Sequence, residues 1–497
     1  MRRHSLQKLF TAFTAFRPWL LLLLGTLQGA ALHLGHTLSV AAGLAVLLAA
    51  AVWGMLTLRT GSMGLLCRLM LLIYIMPFTT CVGYLSDPAY DWPMVSSERA
   101  HVYAVTPQVV QNMLAVGSVG LFGLLAGINL LPYRRRSPDT EPTQPRRTLA
   151  AVPFTVAAVA ATAASYIGSP TKTIFQVSYE SSESYSLASQ LNLNSANLVS
   201  YILLMILRID AERDALEGRR TRWKFVLLDL LALLIIVYFQ LLRGNRTFVG
   251  FAVGLMAMYI TGPQRRRGMP LRELWRRVRE QRRRAVRLAP AAAVLLFGLV
   301  SIGYLRFEAV STGLSNINPV AVFMQGLKAA TWTSILGTNL GAAGEYTDGS
   351  LEWRWGETWV HYVLSLPPGI ISASLGIPRP IDGKGDPRVW YGEFSGGGVH
   401  PNVVPFCNLG AMGVLISHLL IGLWLARVER NNTNAQFWPR LMYATMFVAS
   451  FLWFWYGDIN LIRAVMITYL LRFAYSVALR VRVHFEPLPA APAAEPT

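Results

Sequence analysis

Apolar stretches of about 20 residues recur from one end of this chain to the other, each long enough to cross a hydrocarbon layer of roughly 30 Å as a helix. A segment surrounded by lipid must satisfy its backbone hydrogen bonds internally, so a chain built from such stretches is confined to helices, or to closed barrels whose strands would be shorter and alternating. Hydrophobic residues make up 53% of the 497-residue sequence and charged ones only 14%, which leaves too little charge to coat a soluble protein of this length. The expected fold class is an all-α polytopic integral membrane protein. Its formal charge of +19 then belongs to a basic membrane face, and no nucleic-acid partner is expected. Cys67, Cys81 and Cys407 fall in or beside apolar spans without metal-ligand or paired spacing and read as small core residues.

Charge sets the sidedness. Short connections rich in Lys and Arg stay on the cytoplasmic side. The N-terminus carries Arg2, Arg3, Lys8 and Arg17 ahead of its first apolar run and reads as an uncleaved first helix. Spans are expected near 18–34, 37–58, 63–85, 107–131, 149–167, 196–209, 225–242, 247–260, 289–304, 405–425, 441–456 and 459–479. This arrangement of about twelve helices puts both termini inside. It keeps inside the linker of Arg134–Arg136 with Arg146 and Arg147, the loop from Arg208 to Lys224, and the eleven arginines between Arg265 and Arg287. Acidic or polar segments, such as the one containing Asp87, Asp91 and Glu98, fall outside. The chain thus divides into nine helices over residues 1–305, a large external loop with partial helices over 306–404 before the tenth span, three helices over 405–480 and a cytoplasmic tail over 481–497.

One connection defies the charge rule. The turn Arg243-Gly244-Asn245-Arg246 joins the seventh and eighth spans on the outer side. A guanidinium is a planar fork of donors that matches phosphate oxygens two at a time and stays charged under all cellular conditions. Two of them three positions apart suit a diphosphate, with Asn245 as a further polar contact. Both also suit an anchoring role among lipid headgroups. The large external loop adds Trp332, Trp353, Trp355, Trp359 and Trp390, which fit either sugar rings or an interfacial belt. It then runs through Arg388 and Glu393 to Gly396-Gly397-Gly398-Val399-His400-Pro401-Asn402, directly ahead of the tenth span. The glycines allow close backbone approach to a ligand, and His400 is a candidate base as well as a solvated loop histidine.

The stretch Gly396 to Asn402, the following Asn408-Leu409-Gly410 and Gly413, and the earlier Leu242-Arg243-Gly244-Asn245-Arg246-Thr247 together resemble the Wzy-type oligosaccharide repeat unit polymerases and the related O-antigen ligases. Gly254, eleven positions after Arg243, matches a spacing found in some of those proteins. Where many of them carry a Glu four positions before the Asn, this chain has Val404. The resemblance implies a glycosyltransferase of the bacterial inner membrane. It would act on the periplasmic face on glycans linked to undecaprenyl diphosphate, with membrane lipids around it and a chain-length regulator protein as a candidate partner. On that reading His400 or Glu393 serves as base and Arg243 and Arg246 stabilise the leaving group. Asn245, Arg388, Arg463, Asn402, Gly397 and Gly398 would bind substrate. No metal and no cofactor is expected, since the outer loops lack a DxD or a paired ligand spacing and cationic side chains can take the place of a divalent ion. A ligase with a different acceptor and a flippase for lipid-linked glycan are the alternatives.

Overall fold

The computed structural model describes residues 2–56, 64–86, 105–131, 332–364, 399–432 and 437–485, with further positions at 160, 198, 201–206, 209, 250–251, 253–254, 257–258, 283, 286 and 290. Numbered along these residues, the helices are α1 (Arg2–His33), α2 (Val40–Leu56), α3 (Leu65–Ile75), α4 (Cys81–Ser86), α5 (Pro107–Leu130), α6 (Trp332–Asp348), α7 (Glu357–Leu364), α8 (Val403–Asn431), α9 (Phe437–Tyr456) and α10 (Asp458–Phe485). No strand occurs among the described residues. Among the described residues three helical segments are long and apolar enough to cross a membrane: Leu65–Ser86 with 22 residues, Pro107–Leu130 with 24 and Val403–Asn431 with 29. The described chain is thus helical, with the length and composition of a membrane-spanning protein. Apart from residues 160 and 290, the expected fifth, seventh and ninth spans, and parts of the sixth and eighth, lie outside the described residues.

Local sequence explains where these helices start and break. Thr106 holds an extended backbone and its hydroxyl accepts the Val109 N–H at 3.4 Å, while Pro107 at the first helical position has no N–H to leave orphaned. The expected span over 63–85 is in fact broken. Pro77 cannot donate to the preceding turn, so α3 gives way to a 3-10 segment over Met76–Thr80 before α4 resumes. That break turns Phe78 into the bundle, where it is fully buried.

Helix α5 is the hub. From Val109 to Ile128 all but one of its side chains are buried, against α1, α2, α6 and above all α8. Lipid tails are as apolar as leucine, so helices in a membrane associate through close packing rather than through expulsion of water. Here glycines supply the closeness. A Cβ on Gly123 would lie 2.5 Å from the Leu415 carbonyl oxygen. One on Gly127 would strike the Leu419 carbonyl, and one on Gly422 of α8 would strike the Leu124 carbonyl in return. These are backbone-to-backbone contacts from which no side chain can swing away. Away from this seam the helices present apolar faces outward: Met412, Ile416 and Leu420 on α8 and Leu23 and Leu27 on α1 are all more than 45% exposed, as lipid-facing positions should be.

Helix α6 lies within the segment expected as a large external loop with partial helices, and it packs into the bundle. Ile335, Leu336, Leu340, Ala342 and Ala343 are buried, and Asn112 Nδ2 of α5 donates to Thr347 Oγ1 at 2.9 Å. This part of the 306–404 segment is structural filling for one end of the bundle. Replacing Gly127 or Gly422 by Val should cost at least the ~1–3 kcal/mol of an overpacked core and lower the thermal midpoint of the detergent-solubilised protein. Leu420→Ala, on the lipid-facing side of α8, should leave it nearly unchanged.

Candidate functional site

The Val399-His400-Pro401-Asn402 bend is held from three directions before α8 begins. The His400 N–H donates to Thr338 Oγ1 of α6 at 3.0 Å, and the Thr338 hydroxyl in turn donates to the Ile335 carbonyl at 2.9 Å. The Asn402 N–H donates back to His400 Nδ1 at 3.2 Å. Tyr74 Oη of α3 lies 2.9 Å from the Asn402 side-chain amide and 2.8 Å from the Gly117 carbonyl of α5. One hydroxyl proton cannot serve two acceptors. With the Asn402 amide turned to donate to Oη, Tyr74 donates to Gly117 and both bonds carry a proton. Gly120 makes room for the arrangement, because a Cβ there would collide with the Tyr74 hydroxyl and crowd Asn402.

His400 is fully buried, its ring in edge contact with Phe78 at 5.2 Å, Tyr74 at 5.6 Å and Phe454 at 6.5 Å. Burial, and secondarily the neighbouring His418, holds its pKa well below the ordinary histidine value, so at neutral pH the imidazole is uncharged. Because Nδ1 accepts from Asn402, the proton of this neutral ring sits on Nε2, which has no partner among the described residues. His418, on α8, is its counterpart. It is fully buried at 5.4 Å from the Tyr74 ring and 5.8 Å from Trp453. Its Nδ1 donates to the Val414 carbonyl at 2.9 Å, leaving Nε2 as a bare acceptor, likewise without a partner among the described residues. A donor nitrogen and an acceptor nitrogen thus flank one tyrosine inside the bundle.

The Asn408-Leu409-Gly410 segment interrupts α8. Leu409 and Gly410 leave helical geometry, with Gly410 at φ 61 and ψ −153, a region open essentially to glycine alone. What the break accommodates is the loop before α7. The Arg354 N–H donates to the freed Cys407 carbonyl at 2.9 Å, the Gly356 N–H donates to Asn408 Oδ1 at 2.8 Å, and the Trp353 ring lies 3.4 Å from where a Gly410 Cβ would be. Beside this, in the turn between α9 and α10, the buried Asp458 carboxylate accepts from Trp453 Nε1 at 2.7 Å and from Trp359 of α7. The bend, α7 and the α9–α10 turn therefore close one end of the bundle together.

Of the residues expected at a site, His400 and Asn402 are brought together here, fully buried, and Arg463 lies half-buried on α10. Arg243, Asn245, Arg246, Arg388, Glu393, Gly397 and Gly398 lie outside the described residues. Gly254 faces Tyr201, whose hydroxyl donates to the Ala444 carbonyl at 3.2 Å, so its lack of a side chain serves packing. The sequence reading passed over Tyr74, Thr338 and His418; a histidine inside an apolar span is itself a signal, because ionisable groups there are expensive. No family model, curated protein or solved structure matches the chain.

Two outcomes follow from this geometry. Gly410→Ala should destabilise the fold by the order of 1–3 kcal/mol typical of forcing a side chain into that backbone region, and limited proteolysis should then cut the 353–356 loop faster than in the wild type. His400 takes up a proton in the unfolded chain as pH falls below about 6.5 but not in the fold, so its contribution erodes stability on acidification. The drop in thermal midpoint between pH 7.5 and 5.5 should be shallower for His400→Asn than for the wild type; equal drops would mean that His400 titrates freely in place.

Proposed function

We propose that the chain is a glycosyltransferase of the bacterial inner membrane that polymerises oligosaccharide repeat units carried on undecaprenyl diphosphate. In this reading about twelve spans place both termini in the cytoplasm, and the end closed by the His400 bend faces the periplasm. The observation that carries it is the bend itself. A triple-glycine run leads into a histidine and an asparagine anchored on Tyr74, Thr338 and Gly120, in a sequence that resembles Wzy-type polymerases at the same place in the chain.

The reaction breaks the bond between the donor glycan's anomeric carbon and the diphosphate oxygen, and forms one from that carbon to a hydroxyl oxygen of the incoming repeat unit. Negative charge grows on the departing diphosphate, and fixed guanidinium donors stabilise it without having to reorganise. Arg243 and Arg246 take that role, with Asn245 beside them, while Arg388 and Arg463 suit the phosphates of the second lipid. The acceptor hydroxyl must lose its proton as the bond forms. A histidine whose free nitrogen carries a proton is a donor there, not a base. We therefore assign proton removal to Glu393 and make His400 a positioning residue that fixes the glycine bend, with Gly397, Gly398 and Asn402.

Purified protein given only lipid-linked repeat units should build a ladder of longer lipid-linked glycans. Product formed only with a second acceptor would instead identify a ligase, and no product in either case a flippase. Arg243→Ala and Arg246→Ala should each slow the ladder by roughly 10²-fold or more, and Glu393→Gln should abolish it. His400→Asn, which keeps an acceptor for the Asn402 N–H, should retain more activity than His400→Ala. Equal loss in both would put the Nε2 proton into the chemistry.

A further inference from the structure

At the opposite end of the bundle, α8, α9 and α10 line a half-open cavity of about 210 Å³. Its walls carry two guanidinium groups, Arg427 and Arg472, two indoles, Trp424 and Trp438, and the polar side chains of Asn431 and Thr468. The Arg472 guanidinium lies 5.7 Å above the Trp438 ring, which leaves its N–H edges available to another acceptor. Trp424 Nε1 is buried and has no hydrogen-bond partner among the described residues.

The charge in this cavity is not balanced from within. Glu429 is the carboxylate nearest to Arg427 in sequence, but it is turned onto another helix, where it accepts the N–H groups of Leu66 at 2.9 Å and Cys67 at 3.3 Å at the start of α3. Arg440, on the neighbouring turn, is itself buried and donates to Asn432 Oδ1 and to the Met258 carbonyl. Among the described residues no carboxylate pairs with Arg427 or Arg472. Two forked cations on the wall of one small space, beside a buried indole N–H without a partner among the described residues, suit an anion with several oxygens, and phosphate is a group that accepts two N–H bonds from one guanidinium.

The rim says how that anion is carried. On α10, Tyr469, Leu470 and Phe473 are 47%, 57% and 67% exposed on either side of Arg472, a run of large apolar side chains facing outward in a membrane protein. At about 1.5 Å rise per residue, Trp424 to Asn431 lie some 30–40 Å along α8 from its start, the depth of the opposite bilayer surface. We infer that the cavity between α8, α9 and α10 is a binding site for an anionic phospholipid, its phosphate held by Arg427, Arg472 and Trp424 and its acyl chains lying against Leu470 and Phe473.

The site is independent of the proposed transferase reading and stands or falls by itself. Delipidated full-length protein in neutral detergent is offered dioleoyl phosphatidylglycerol or dioleoyl phosphatidylcholine, and retained lipid is counted by native mass spectrometry. The wild type should retain phosphatidylglycerol about tenfold or more over phosphatidylcholine. Arg427→Gln with Arg472→Gln should erase that preference, as expected for the loss of two interfacial cations. The double Lys variant, which keeps the charges but not the fork, should hold an intermediate amount, and Trp424→Phe should weaken retention severalfold without touching charge. Helicity and elution volume show whether the variants are folded, and the Trp424→Phe comparison stands if the double variant is not. Millimolar inorganic phosphate should fail to displace the lipid. Equal retention of the two lipids by the wild type, undiminished preference in folded double Gln protein or in Trp424→Phe, or full displacement by free phosphate would each overturn the assignment.

Discussion

Helices α5 and α8 approach until backbone touches backbone, and the remainder of the described bundle is arranged around that contact. In a bilayer there is no water to expel from between two apolar helices, so their association rests on dispersion at short range and on whatever polar bonds cross the seam. The stripe Gly120, Gly123 and Gly127, answered by Gly422, removes the side chains that would hold the helices apart. The consequence reaches beyond packing. With α8 drawn against α5 at that spacing, the bend ahead of α8 falls beside Gly120 and Tyr74, where Asn402 finds its partner.

A polar cluster in such surroundings carries a cost unless its atoms are paired, since each orphaned donor or acceptor loses hydration with nothing in return. The main-chain N–H groups of His400 and Asn402 and the hydroxyls of Thr338 and Tyr74 are all engaged. The two imidazole Nε2 atoms are not, among the described residues. Their polarities are opposite because their other nitrogens are used in opposite senses, His400 accepting and His418 donating. That difference, rather than the bare presence of a histidine, limits the chemistry open to His400. A neutral ring with its lone pair already occupied orients and donates, which is why the proposed transferase reading assigns proton removal to a carboxylate.

Much of the helical framework was legible because its determinants are local. The Thr106-Pro107 start of α5 and the apolar runs of α2, α8 and α9 need only their own residues to be placed. The break at Pro77 was equally local in cause, yet the apolar run around it masks the break, since hydropathy averages over residues that hydrogen bonding separates. Helix α6 was obscured for the opposite reason. Its sequence is rich in Gly, Thr and Ala and reads as loop, and only burial against α5 makes it core. The Asn408-Leu409-Gly410 motif stood out in the sequence, but its use depends on Trp353 and Gly356, some fifty residues earlier. No local pattern announces that pairing. The turn containing Arg243 and Arg246, on which the chemical reading leans, lies outside the described residues, so its part in the site rests on charge and resemblance.

The two ends of the bundle solve opposite electrostatic problems. At the histidine end the two buried titratable groups are settled within the protein: His400 is uncharged, and Asp458 is held by two indoles. At the other end the single carboxylate of Glu429 is spent on the first turn of α3, where orphaned N–H groups and the positive end of the helix dipole attract a negative group. Among the described residues Arg427 and Arg472 are thereby left without a carboxylate partner. A helix start buried in the bundle has no water to satisfy its N–H groups, whereas an arginine at the bilayer surface has phosphate within reach. Placing the carboxylate inside and leaving the cations to the headgroups is the arrangement in which neither group goes unpaired.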